Sequence, residues 1–163
     1  MYSLSTPFNL REFDADSASD QAFVRVLYSS SRGDLLQMQA EADFIDQMIA
    51  MQQRMHEHGY RQSYPQARHL IVERDGAPIG RLIVNPGKQA LRVVDITLLP
   101  HAQGQGAGSA VLAGLQALAA AQQATVSLGV NHGNLAARRL YARLGFMVEG
   151  EDPIQQQLRW SPP

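Results

Sequence analysis

A run rich in β-branched residues, Leu91 to Leu98, leads past Pro100 into Gly104-Gln-Gly-Ala-Gly108, and that loop opens onto an Ala- and Leu-rich stretch from Ser109 to Ala121. β-Branched side chains suit a pleated strand, whereas Ala and Leu are among the best helix formers. A strand that feeds a helix in this way needs a sheet to join, and the helix needs a sheet face to cover, which points to an α/β architecture. Glycines let the backbone turn tightly and approach a ligand closely, because no Cβ intervenes. The first amides of the helix lack internal partners and carry roughly half a positive charge. Loop and helix start together form a ready site for phosphate.

The residues around the loop discriminate among phosphate ligands. A nucleoside-triphosphate loop places Lys-Ser or Lys-Thr after its last glycine, and here Gly108 is followed by Ser109-Ala-Val. A dinucleotide fingerprint begun at Gly104 would put Ser109 where its third glycine belongs, and it expects an acid ~20 residues on for the ribose. No Asp or Glu occurs from His101 through Val148. The dinucleotide reading fails on that count, and the triphosphate reading is weak without its lysine.

Elsewhere the pattern alternates between the two periods. Phe8 to Phe13 alternates as a short strand, and Ser17 to Asp20 offers N-caps for a helix through Ala22, Phe23, Val26 and Leu27. Ser29 to Gly33 breaks that helix. Apolar residues at near-helical spacing from Asp34 predict a long helix to about His58, stopped by Gly59, with its methionines packed in the core. His69 to Glu73 and Ile79 to Val84 form a hairpin about Asp75-Gly76. After the glycine loop and its helix come a strand from Thr125 to Val130, a helix from Asn134 to Leu144 ended by Gly145, and strands over 146–148 and 155–160. The expected order is β-α-α-β-β-β-α-β-α-β-β, in one domain over residues 1–163.

Composition narrows the functions. A chain of 163 residues buries roughly 70% of its unfolded surface and needs no staples. It has no cysteine, which excludes disulfides, thiolate metal sites and a cysteine nucleophile. No apolar run approaches the ~20 residues that span a bilayer, and no secretory signal is visible at the start, so a cytoplasmic protein without membrane attachment is expected. The net charge of −1 does not suggest nucleic acid as a partner. The charge is nonetheless divided: residues 1–64 carry five basic and nine acidic residues, whereas residues 86–148 carry five basic residues against Asp95 alone. The later half suits an anionic ligand and the earlier half a neutral or cationic one.

Gln103-x-x-Gly106-x-Gly108 follows its strand directly, and Asn134-x-x-Ala137-x-x-Leu140-Tyr141 ends in Leu144-Gly145-Phe146. In this combination the chain resembles the GNAT superfamily of N-acetyltransferases. The resemblance is dense over residues 91–148, looser over the hairpin from Asp75 to Arg81, and limited to element order over residues 1–64. It implies a mixed, mostly antiparallel sheet of about seven strands flanked by about four helices. It also implies acetyl-CoA as the acetyl donor, coenzyme A as product, no metal, and a small-molecule or peptide amine as acceptor; the alternative, kept open by Gln103, Gln105 and Arg92, is a noncatalytic acyl-CoA-binding sensor or partner-binding module with the same fold. Many relatives pair, so a homodimer is an open expectation.

The resemblance assigns roles residue by residue. Gln103, Gly104, Gln105, Gly106, Ala107, Gly108 and Ser109 would hold the pyrophosphate of the coenzyme. Leu98 and Leu99 would lie beside its pantetheine arm, with a backbone group of Leu98 polarising the thioester oxygen. Asn134 would cap its helix and also bond the arm or a site water. Tyr141 would be the acid for the leaving sulfur, since a phenol with pKa near ~10 can give a proton to a thiolate. The chain departs from the family where Gln103 and Gln105 replace basic residues, and Arg138, Arg139 and Arg143 either restore that charge or form a solvated helix face. It departs again at Arg92, where many relatives carry a glutamate base. Asp95 is the one acid on that strand, and it either greets the amine or forms a salt bridge with Arg81 or Arg92. His101 and His132 are outside alternatives as bases. The acidic segment from Asp34 to Tyr64, with Tyr60 and Tyr64, would wall the acceptor site and favour amines.

Overall fold

Asp75 and Gly76 take φ of 50° and 81° in the computed structural model, the left-handed pair that a two-residue hairpin turn requires. The model describes residues 2–38 and 41–163. This turn joins β2 (Arg68–Arg74) to β3 (Ala77–Pro86), and β4 (Ala90–Leu98) returns antiparallel beside β3. With β1 (Phe8–Glu12), β5 (Thr125–Asn131), β6 (Met147–Glu151) and β7 (Gln155–Trp160) they make a seven-stranded sheet in the order β1-β2-β3-β4-β5-β7-β6. Every neighbouring pair is antiparallel except β4 and β5. The mixed sheet expected from the sequence is therefore the sheet observed.

The helices are α1 (Ala18–Ser31), the short α2 (Gly33–Leu36), α3 (Ala42–Ser63), α4 (Ala107–Ala121) and α5 (Leu135–Arg143). α4 is the crossover between β4 and β5, and it buries Val111, Leu112, Leu115 and Ala119 against Leu82, Val84, Leu91 and Val93 on one face of the sheet. That dry layer is the main core. On the opposite face Ile71 and Ile83 are fully buried, α1 touches β3 and β4, and α3 packs on α1.

Three expectations for residues 34–59 are corrected. The long helix is replaced by α2 and then α3, and its expected stretch across Gln39 and Ala40 lies outside the described residues. Gly59 does not stop α3, which runs on to Ser63. A glycine stop requires the left-handed conformation, and Gly59 is not among the positive-φ glycines. The helix ends instead at Tyr64, just before Pro65, where the proline ring disfavours a helical residue. Nor is the methionine stripe core: Ile45 and Ile49 are buried with Met48 beside them, whereas Met38, Met51 and Met55 are exposed. A helix lying on α1 and α2 buries only the narrow i, i+4 strip that faces them.

Strand alternation places the chemistry-bearing residues. Leu82 pairs with Ile96 and Val84 with Val93, all on the α4 face, although Val93 and Ile96 are three positions apart, an odd offset that regular alternation would put on opposite faces. The register shifts between Ile83 and Val84, so Val94 is an extra residue in β4, a bulge. The bulge restores Asp95 and Thr97, paired with Ile83 and Arg81, to the face that carries α3. There Arg81, 6% exposed, makes a two-pronged ion pair with Glu57 of α3, in which Nη2 donates to Oε2 at 2.9 Å. This pair fastens α3 to the sheet.

Glu57→Gln should therefore lower stability by about 2 kcal/mol, because it leaves a buried guanidinium without its charge partner; the cost sits below that of a fully buried pair since Glu57 keeps 24% of its side chain exposed. Urea denaturation measures this, and an unchanged midpoint would show that α3 is held by other contacts.

Candidate active site

β4 and β5 are paired only from Ala90 to Val93 and from Thr125 to Leu128. Beyond Val93 the two strands part, β5 continuing along β7 and β4 along β3. From Val94 to Leu98 the edge of β4 that faces β5 thus has no strand partner. On the α4 side a cleft of about 580 Å³ opens, with Ile96 and Leu98 of β4, the glycine loop, and Asn134 and Tyr141 of α5 in its walls.

The loop owes its shape to its glycines. Gly104 and Gly106 have φ of 73° and 92°, in the left-handed region that a side chain disfavours. Gly108 is needed for a different reason: a Cβ there would stand 3.2 Å from Leu140 of α5, so α4 and α5 converge at this point. α4 starts at Ala107, two residues earlier than its composition suggested. Among the described residues, the amides of Gly104, Gln105, Gly106, Ala107, Gly108 and Ser109 donate to no protein acceptor. They are free for an anion.

The two glutamines that replace basic residues brace this loop from within. Gln103 Nε2 donates to the Leu98 carbonyl at 3.2 Å. Gln105 Nε2 donates to the His101 carbonyl at 2.8 Å, and its Oε1 accepts from Arg74 Nη1 at 2.9 Å. Arg74, at the end of β2, thereby brings a cation to the loop, which the sequence reading missed because the contact spans 31 positions. Arg139 and Arg143 line the cleft. Arg138 turns away and donates to the His132 carbonyl at 3.0 Å. Two of the three arginines of α5 thus add positive charge where a diphosphate would sit.

Of the residues expected to bind the coenzyme, Leu98, Gln103, Gly104, Gly106, Gly108, Ser109, Asn134 and Tyr141 line the cleft. Leu99 packs against the core, and Ala107 is buried beneath the loop. Asn134 caps α5, its side chain accepting from the Ala137 amide at 3.2 Å. Tyr141 is 7% exposed and packs against Phe146. Burial, and then the charge of Asp95, push its phenol above the usual range. It therefore stays protonated at neutral pH.

A second cavity, of about 500 Å³, lies against the other face of β4. Arg92 and Val94 form its floor, and Met55, His56, Tyr60 and Tyr64 stand over it from α3 and its end. Asp95 shares this face. Its carboxylate accepts from Thr97 Oγ1 at 3.0 and 3.2 Å, and among the described residues it makes no salt bridge with Arg81 or Arg92. Desolvation raises its pKa against the opposing effects of the Thr97 bond and the Arg81 charge. Burial and the Asp95 charge also raise the Tyr60 phenol. His69 Nδ1 accepts from Arg81 at 3.2 Å, consistent with a ring kept neutral by burial and that guanidinium.

Among the described residues the α3 wall of this cavity carries no Asp or Glu, contrary to the lean drawn from the segment's composition. Glu41, Asp43 and Asp46 face solvent, and Glu57 is engaged by Arg81. His101 and His132 stand outside both cavities, and His132 Nε2 lies 2.6 Å from the Asp152 carbonyl. His56 was not singled out in the sequence, where nothing separates it from a solvated helix histidine.

Comparison with known proteins agrees with this geometry. The sequence matches the Acetyltransferase (GNAT) family over residues 33–146. The fold is similar to a PaiA N-acetyltransferase from Thermoplasma acidophilum solved with coenzyme A, with TM-score 0.67 and 16% identity over 94% of this chain and 98% of that one. RimL, a ribosomal L7/L12 alpha-N-protein acetyltransferase, is similar with TM-score 0.66 and 19% identity over 98% and 93%. The protein yncA from Salmonella typhimurium, solved with its cofactor acetyl-CoA, gives 0.55 and 16% over 97% and 95%. The chain belongs to the GNAT acetyltransferase family.

Gly106→Ala should cost about 1–2 kcal/mol in denaturant unfolding, because it forces an L-residue into left-handed backbone. Gly133→Ala is the control, with no positive φ and nothing within 4 Å of the added Cβ, and it should be neutral. Equal midpoints for the two variants would show that the loop relaxes out of its observed shape.

Proposed function

We propose that this chain transfers an acetyl group from acetyl-CoA to a primary amine by direct attack, without a covalent enzyme intermediate. The observation that carries the reading is the pair of cavities on opposite faces of β4, beside the point where β4 leaves β5. One cavity is walled by unpartnered amides and arginines and suits a diphosphate. The other is walled by the rings of His56, Tyr60 and Tyr64, lies on the face of β4 that also carries the desolvated Asp95, and suits an acceptor.

When bound, acetyl-CoA supplies the acetyl group as a reactive thioester. The loop amides and Arg139 and Arg143 bind its phosphates, and the open edge of β4 from Val94 to Leu98 gives backbone partners to its arm. The Leu98 carbonyl is an acceptor, taken by Gln103, and only a donor can polarise the thioester oxygen, so that role would fall to a backbone N–H of this edge. Asp95 holds the incoming ammonium and takes its proton directly or through a water, a role that its raised pKa favours over that of an ordinary carboxylate. Transfer requires a C–N bond to form as the C–S bond breaks; Tyr141 would give its proton to the sulfur, and the second proton, shed by the nitrogen as it becomes an amide, would restore the Tyr141 phenol through water.

Tyr141→Phe should reduce kcat by about 10²-fold or more, the usual worth of a positioned acid, while acetyl-CoA still raises the melting temperature. Thiol release with a panel of amines reads the first and thermal shift the second, and an unchanged kcat would remove Tyr141 as the acid. Asp95→Asn should slow transfer about tenfold or more near neutral pH. The deficit should shrink as pH rises toward the amine pKa, because the acceptor then loses its proton without help. A pH-independent deficit would assign Asp95 a purely structural role.

A further inference from the structure

The acceptor cavity holds an unmatched cation. Arg92 stands on its floor, and neither Met55, His56, Tyr60, Ser63, Tyr64 nor Val94 can neutralise it. Among the described residues its guanidinium makes no ion pair and no hydrogen bond, although four other arginines (Arg11, Arg68, Arg81 and Arg159) are paired with carboxylates. Room for it comes from β5: a Cβ on Gly129 would stand 3.5 Å from Arg92 Nη2 and 3.1 Å from Gln155 Oε1 and Gln157 Nε2. A partly covered guanidinium facing a cavity has lost hydration that an oxyanion can replace bidentately.

Asp95 lies on the same face of β4, three positions on and past the bulge, so the two side chains have opposite charge and a Cα separation of roughly 10 Å. A ligand spanning them would present an ammonium to Asp95 and an anion to Arg92. We infer that the acceptor is an amine that also carries a carboxylate, with an apolar part lying among Met55, Val94 and the rings of Tyr60 and Tyr64. This rests on the transfer reading above and narrows its substrate class. It also disfavours diamine and polyamine acceptors, since a second ammonium would be placed against Arg92.

The test compares α-amino acids bearing aliphatic or aromatic side chains with their carboxamides, and with the matching aminophosphonates, in thiol release by the wild type, Arg92→Gln and Arg92→Lys. The carboxylates should exceed their carboxamides about tenfold or more in kcat/KM, mainly through KM, as expected for one charge-assisted pair. Arg92→Gln should bring the two to parity, and Arg92→Lys should keep part of the preference. Preference for carboxamides or diamines in the wild type, an undiminished preference in Arg92→Gln, or phosphonates favoured over carboxylates would overturn the assignment. If acetyl-CoA binds but no amine is acetylated, the transfer reading fails separately. Calorimetry of N-acetyl amino acids against N-acetyl amino amides, titrated into the coenzyme A complex, then decides the role of Arg92: tighter carboxylates support it and parity refutes it.

Discussion

The parting of β4 from β5 after four paired residues is the constraint on which the rest depends. Backbone amides and carbonyls away from a partner are costly unless something satisfies them, so a sheet that opens in its middle must face water or a ligand there. The opening is held from both sides. α4 crosses from β4 to β5 with its apolar side buried, and β7 inserts between β5 and β6 to keep β5 turned away. The edge so exposed is continuous with the glycine loop, whose amides are also free. One long polar surface therefore runs from the loop to the centre of the sheet.

Charge is distributed to match. The cleft beside α4 gathers Arg139 and Arg143, with Arg74 bracing the loop through Gln105. The glutamines at 103 and 105 contribute loop geometry where basic residues would have contributed field. In the proposed reading, a diphosphate bound here leans on fixed amide dipoles and on arginines borrowed from β2 and α5. On the other face, the Arg81–Glu57 pair closes on itself and leaves Arg92 in the wall of the acceptor cavity, with Asp95 farther along the same face of β4.

The parts of this arrangement legible in the sequence are those set by local chemistry. The Asp75-Gly76 hairpin, the glycine loop and the Asn134 cap each depend on neighbours a few residues away, and each is where the pattern put it. Gly59 misled because a glycine is compatible with a helix interior as well as with its stop, and Pro65 decided the matter six residues later. The methionines misled because helical spacing shows that a face is apolar without showing what covers it. The bulge at Val94 left no signal: valine fits regular and bulged strands alike, and only the pairing with β3 exposes the shift. Arg74 beside Gln105, and Glu57 on Arg81, join elements far apart in the chain and are visible only once the sheet is assembled.

The bulge has a further consequence for proton movement. With regular alternation after Val93, Asp95 would face α4 and the main core, where a carboxylate has no partner and would be driven neutral. One extra residue sends it to the α3 face, next to Thr97 and within the field of Arg81. Tyr141 remains on the α4 side, yet the Asp95 charge still contributes to raising its phenol pKa. The two groups thus flank the opening from opposite faces, one buried acid kept protonated and one carboxylate made more basic by desolvation. In the proposed reaction a proton is taken up at Asp95 on the acceptor side and another is given by Tyr141 on the thiol side, so neither group has to perform both transfers.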